Sequence, residues 1–167
     1  DPQTGNFGTT IDTLVSAEQT GKTISFPRPS FDGKYLMYTQ ADYGNFTIWH
    51  KEADLYLLNL KDGTTRRMDE VNSDDTESFH DWSSNSHWFV FSSRREDGLY
   101  TRLYIASIDN DGKISKPFLL PQEDPEYYDF SLYSFNVPEF IKAPVNVNAR
   151  DLEQKLLSGD RIQMGLK

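Results

Sequence analysis

Short runs of apolar and aromatic residues, each closed by Gly, Asp, Asn or Ser, punctuate the chain between Thr23 and Leu120. Runs of this length separated by turn residues are the pattern of antiparallel strands. A first strand is predicted in TISFPR, then a turn at Phe31-Asp32-Gly33-Lys34 in which Gly accepts positive φ, then a second strand in YLMYTQ. A third and a fourth follow in DLYLLNL and TTRRM, joined by the Asp-Gly turn at Lys61-Asp62-Gly63. Leu55 and Leu57 alternate with Tyr56 and Leu58, so the third strand is expected to be covered on both faces.

The pattern then recurs. ISFPRPSFDGKYLMYTQ from Ile24 is echoed 53 positions later by ESFHDWSSNSHWFVFSS from Glu77. Ser78-Phe79 stands for Ser25-Phe26, Ser83 for Ser30, Asn85-Ser86 for Asp32-Gly33, and Phe89-Val90-Phe91 for Leu36-Met37-Tyr38. The second copy is read as SFHDWS, HWFVFSS, RLYIASI and ISKPFLL, with Asp109-Asn110-Asp111-Gly112 turning its last hairpin. Four antiparallel strands in a repeat of roughly 40 to 50 residues is the pattern of a propeller blade, a unit that cannot bury both faces alone and stacks on its neighbours. The expected fold is therefore all-β: two complete four-stranded blades over 25–68 and 78–120, with partial blades on either side.

Those partial blades are expected as strands over 11–15 and 134–140. Ile11 to Val15 precedes Ser25 by the spacing at which Arg66-Arg67-Met68 precedes Ser78. SFNVPEF from Ser134 echoes SFPRPSF from Ser25, matching Ser, Phe, Pro and Phe. The echo then stops at Ile141-Lys142-Ala143-Pro144, and the tail over 141–167 is predicted to hold a short helix. Asn148 would cap it, Asp151 would serve as a capping-box acid, Leu152 and Leu156 would lie one turn apart, and Gly159 would end it. Two blades do not close a ring, which takes about four. The chain is expected to be a piece of a longer protein, with self-association and an open two-sheet stack as the other solutions.

Composition narrows the classes. Of 167 residues, 37% are hydrophobic and 14% aromatic, which suits a β-rich globular chain rather than a disordered one. A net charge of −9, with 26 acidic against 17 basic residues, makes nucleic acid and anionic lipid poor partners. No apolar run approaches the ~20 residues of a membrane span. Cysteine is absent, which excludes disulfides, thiolate metal sites and thiol nucleophiles. The first residue is Asp1, so either a leader has been removed or the chain was cut from something longer.

RPSFDGKYLMYT resembles the Pro-x-[aromatic or Ser]-x-Asp-Gly-Lys-x-[apolar]3 signature of TolB-like, WD-repeat-like propeller repeats, and WSSNSHWFVFSS resembles it with Asn85-Ser86-His87 in place of Asp-Gly-Lys. The resemblance covers roughly Thr23 to Pro121. SSRREDGLYTRLYIA and KPFLLPQEDPEYYD resemble TolB-related propeller proteins of gut-type Gram-negative bacteria. What this implies is a periplasmic or cell-envelope propeller that binds a protein or peptide and has no established chemistry. Such propellers also gate prolyl oligopeptidases, but the Gly-x-Ser-x-Gly elbow of the hydrolase domain is missing from this sequence.

Candidate chemistry is sparse, and no cofactor is expected. His87 takes the place of a turn Lys. His80 and Asp81 lie on the innermost strand, whose alternate side chains would face the channel of a closed propeller; related oligogalacturonate lyases place metal-binding histidines near that channel. One His and one Asp are too few for a metal, so no metal site is assigned. Asp109-Asn110-Asp111-Gly112 lacks the Glu of a calcium loop and reads as a turn. The run Asp69, Glu70, Asp74, Asp75, Glu77 is expected to be a solvated connection between blades. Ser83-Ser84 and Ser92-Ser93 have no recognisable base.

Binding is the better-supported role. Arg94-Arg95 is either a connection held by surface ion pairs or a pair of guanidinium forks gripping carboxylates of a peptide or acidic sugar. The connection from Ala41 to Lys51 carries Tyr43, Phe46, Trp49 and His50, which suit contact with a partner or carbohydrate or pack over the blade. The binding candidates are Arg28, Tyr43, Trp49, His80, Asp81, Arg94 and Arg95. The function expected is a non-catalytic protein- or peptide-binding scaffold, the alternative being a polysaccharide lyase or hydrolase with a channel-facing His80-Asp81 pair.

Overall fold

Antiparallel ladders form wherever the alternating runs fall. The structure, a computed structural model, describes residues 4–144 and 146–158. Strands β1 (Thr23–Pro29), β2 (Tyr35–Ala41), β3 (Asp54–Asn59) and β4 (Thr65–Arg67) make one sheet in chain order. Strands β5 (Glu77–Trp82), β6 (Trp88–Ser93), β7 (Arg102–Ser107) and β8 (Phe118–Leu119) make a second with the same order. Three short helices accompany them: α1 (Ala17–Thr20), α2 (Tyr127–Phe130) and α3 (Ala149–Leu157). The two sheets do not close into a ring.

The repeat extends to the backbone. Ser30 Oγ accepts from Tyr35 N and donates to Asp32 Oδ1, and Ser83 Oγ accepts from Trp88 N and donates to Asn85 Oδ1. Gly33 at φ +70° and Ser86 at φ +61° occupy the same left-handed position of the turn. A left-handed Ser is unfavourable, and Ser86 is retained with its hydroxyl accepting from Asp32 N of the first sheet at 2.9 Å. Each inner strand also carries an irregularity, between Ser25 and Arg28 and between Ser78 and Asp81, where Phe26 and Phe79 take φ of +52° and +48°. Their rings meet at 4.6 Å, so two strained residues are held by each other across the seam.

One core serves both sheets. Met37, Leu55 and Leu57 from the first and Trp82, Phe89, Phe91, Tyr104, Ala106 and Ile108 from the second form a single buried cluster, completed by Met68 and Val71 of the connection and by Ile114. Trp82 is fully buried, and its Nε1 donates to the Arg28 carbonyl across the seam at 3.0 Å. Asn72 grips Leu55 at both its backbone groups, and Glu77 N donates to the Ala53 carbonyl.

The flanking strands expected over 11–15 and 134–140 are not formed. Ile11 and Leu14 are exposed, and no strand pairs with residues 11–15, so their backbone forms no ladder. Residues 134–140 run along the second sheet, but their backbone groups are bound by side chains and by one main-chain bond, Phe135 N to the Thr101 carbonyl at 3.2 Å, without forming a ladder, and Pro138 withholds a donor. The last strand of the second sheet is two residues long where ISKPFLL suggested a full strand, because Pro117 interrupts it; Ile114 forms only an isolated bridge with Ile108. The tail helix is present as expected, with Asn148 Oδ1 accepting from Arg150 N. Its proposed stop, Gly159, lies outside the described residues.

Replacing Phe89 by Ala empties a shared rather than a private site. It is expected to cost roughly 3–5 kcal/mol and to lower the stability of both sheets together, as one denaturant transition followed by tryptophan fluorescence and by far-ultraviolet circular dichroism. Two separated transitions would show that the sheets have independent cores.

Candidate functional site

Arg94 and Arg95 lie in the loop after β6, and both guanidinium groups are committed to the protein. Arg94 is buried; it pairs with Asp75 at 3.2 Å and lies 5.4 Å from the centre of the Trp49 ring. Arg95 reaches Glu77 Oε1 at 2.9 Å and is sandwiched over Tyr104 at 4.4 Å and Phe91 at 5.5 Å. Glu77 is completely buried, and its carboxylate also accepts from Ser73 N, Ser73 Oγ and Ser93 Oγ. Burial pushes this carboxyl above its ordinary value, while the bonds from Ser73 and Ser93 and the charge of Arg95 pull it back.

Asp75 and Glu77 therefore correct the expectation of a solvated acidic connection: both are buried at the base of the seam. The signal was present in the repeat, where Glu77 stands at the position of Ile24. A charge in place of an apolar residue on an inner strand requires a buried cationic partner, and Arg95 is that partner.

The second group of candidates, Arg28, His80 and Asp81, does not converge. His80 is only 2% exposed and is wedged between the sheets, where its Nε2 donates to the Met37 carbonyl at 3.0 Å. It faces the neighbouring sheet rather than a channel. Asp81 is half-buried and accepts from Phe140 N at 3.0 Å. Arg28 is exposed at its side chain and contributes its carbonyl to Trp82. Burial, assisted by the nearby Arg28 charge, lowers the His80 pKa to about 4. Among the described residues, no three His, Asp or Glu side chains are grouped so as to hold a metal ion.

Tyr43 and Trp49 are the candidates that face water. The connection between β2 and β3 leaves Tyr43 68%, Phe46 71% and Trp49 67% exposed. It is nonetheless anchored: residues 47–49 form a turn of 3-10 helix, Thr47 is buried against Ser78, and the Tyr43 ring meets His50 edge-on at 4.6 Å. Gly44 at φ +81° is packed so closely on His50 that a Cβ would sit 2.9 Å from Nε2, so a larger residue would displace the imidazole and strain the backbone. Beside this platform, Lys51, Ser73 to Asp75 and Arg94 to Gly98 line an open cleft of about 420 Å3 whose charges are of both signs. The exposed aromatics, not the arginines, make up the accessible part of this surface.

Compared with known proteins, the chain matches no family model and no curated protein.

Two outcomes follow from this arrangement. Replacing Arg95 by Ala strands the Glu77 charge in the seam and is expected to cost roughly 3–5 kcal/mol, with the pairing of Arg95→Ala and Glu77→Gln less damaging than the sum of the two in a double-mutant cycle. Between pH 6.5 and about 4 the unfolded chain binds a proton at His80 that the folded chain refuses. The stability owed to neutral His80 is thus complete above pH 6.5 and declines toward pH 4. Subtracting the profile of His80→Gln from that of the wild type isolates this slope, and parallel profiles would contradict it.

Proposed function

We propose that the chain is a non-catalytic binding scaffold of the TolB-like kind, two propeller blades of a cell-envelope protein that hold a protein or peptide on the connection between β2 and β3. The observation that carries this reading is the exposed trio Tyr43, Phe46 and Trp49 on an anchored turn. Aromatic rings on a pre-ordered loop offer large contact area with little conformational entropy to lose, which is how recognition surfaces gain affinity. The envelope location and the kinship with TolB rest on the RPSFDGKYLMYT repeat alone.

The reading of a polysaccharide lyase or hydrolase needs His80 and Asp81 to meet a substrate together. His80 is sealed between sheets and bonded to Met37, and Asp81 is engaged by Phe140 N, so neither supports that chemistry.

Selection of a displayed random-peptide library on the immobilised chain tests the proposal. A consensus enriched on the wild type and lost on Phe46→Ala and on Trp49→Ala is the expected result. Release of new reducing ends from polyuronate substrates, with no peptide consensus, would replace binding by catalysis.

A further inference from the structure

The contact between the sheets is made by two unlike faces. The first sheet contributes Met37, Leu55 and Leu57, and the second contributes Phe89, Phe91, Tyr104 and Ala106. The repeat and the ladder registers give each sheet a copy of the other's side of that contact. On the second sheet, Val90, Leu103 and Ile105 stand where Met37, Leu55 and Leu57 stand on the first. On the first sheet, Leu36, Tyr38, Tyr56 and Leu58 stand where Phe89, Phe91, Tyr104 and Ala106 stand on the second. The likeness reaches ring geometry: Tyr38 stacks on Tyr56 at 5.7 Å and 20°, and Phe91 stacks on Tyr104 at 5.9 Å and 27°.

A second, independent observation lies on the inner strands. Ser78 Oγ is satisfied by the sheet before it, through Thr47 Oγ1 at 2.7 Å and Thr39 Oγ1 at 3.4 Å. Its repeat counterpart, Ser25 Oγ, is buried with no hydrogen-bond partner among the described residues. A buried hydroxyl without a partner is costly, and here it lies where the repeat supplies one from a preceding sheet.

The residues able to supply it are on the second sheet. Ser92 is the counterpart of Thr39, and Thr101 stands just ahead of β7 at the register position of Ala53. Both are held by residues 134–140: Ser92 Oγ donates to the carbonyls of Phe135 and Asn136, and Thr101 Oγ1 donates to Asn136 Oδ1. Asp81, the counterpart of Arg28, accepts from Phe140 N through its side-chain Oδ2, whereas Arg28 accepts from Trp82 Nε1 through its carbonyl. Asn136 thus meets Ser92 as Ser78 meets Thr39, and the segment covers the slot of a third inner strand. This register lies two residues beyond the sequence echo that aligned Ser134 with Ser25.

We propose that this slot and the face beside it receive a second copy of the chain, head to tail. The half-buried Leu36 and Tyr56 of one copy, beside the already buried Tyr38 and Leu58, pack on the half-buried Leu103 and Ile105 of the next, beside its buried Val90, and Ser25 of the first reaches Ser92 of the second. Residues 134–140 are the placeholder that this contact displaces. The inference rests on the contact already made between the two sheets and holds whatever the aromatic connection binds. Such an interface is heterologous, so it propagates until it closes a ring or continues as a filament.

Sedimentation velocity over a concentration series tests this directly, because a heterologous contact needs both faces. The wild type is expected to self-associate beyond the dimer. Tyr56→Arg and Ile105→Glu each place an unpaired charge in one half of the contact and are expected to weaken it roughly 100-fold. Each variant alone is then a monomer, whereas an equimolar mixture forms a 1:1 dimer and nothing larger, since each retains the face the other has lost. Asn136→Ala, which loosens the placeholder, is expected to strengthen assembly of the otherwise unchanged chain. Should Tyr56→Arg or Ile105→Glu lose cooperative melting, Leu36→Lys with Leu103→Glu repeats the test. A wild type that stays monomeric at its highest soluble concentration, variants that do not complement, or an Asn136→Ala that associates less would each overturn the proposal.

Discussion

Everything in this structure depends on the apolar contact between two four-stranded sheets. A sheet of this size with large side chains on both faces has no stable life in water alone, because one of its faces is always left wet. Met37, Leu55 and Leu57 are dry only because Trp82, Phe89, Phe91 and Tyr104 lie on them. The polar groups at the seam follow from that contact. His80 is neutral because the contact excludes water from it, Glu77 and Arg95 are paired because it leaves them no other partner, and Phe26 and Phe79 keep strained backbones because their rings are clamped together.

Much of this was legible in the residues because the turns and the strand pattern are written twice. Ser30-x-Asp32-Gly33 and Ser83-x-Asn85-Ser86 fold identically, and the ladder registers follow from where those turns fall. What the pattern did not carry was the effect of neighbours. Asp75 and Glu77 look like surface residues in a run of acids, and only the proximity of Arg94 and Arg95, brought from another strand, buries them. Residues 11–15 and 134–140 have the composition of strands, yet a strand exists only when another strand completes its hydrogen bonds, and no ladder forms over either.

The same distinction separates the candidate site into two parts. Arg94, Arg95, His80 and Asp81 carry chemistry that suits binding or catalysis, and the fold uses all four to hold its own parts together. Tyr43 and Trp49 were picked as loop aromatics and remain in water, on a connection whose base is pinned by Thr47 and His50.

Native-state hydrogen exchange tests most directly whether the two sheets are one cooperative unit. The slowest amides of β2 and β3 and those of β6 and β7 are predicted to share a single opening free energy, equal to that of global unfolding, with the same dependence on denaturant. Protection that survives in one sheet while the other exchanges freely would contradict the account, because each sheet would then be stable without the face that covers it.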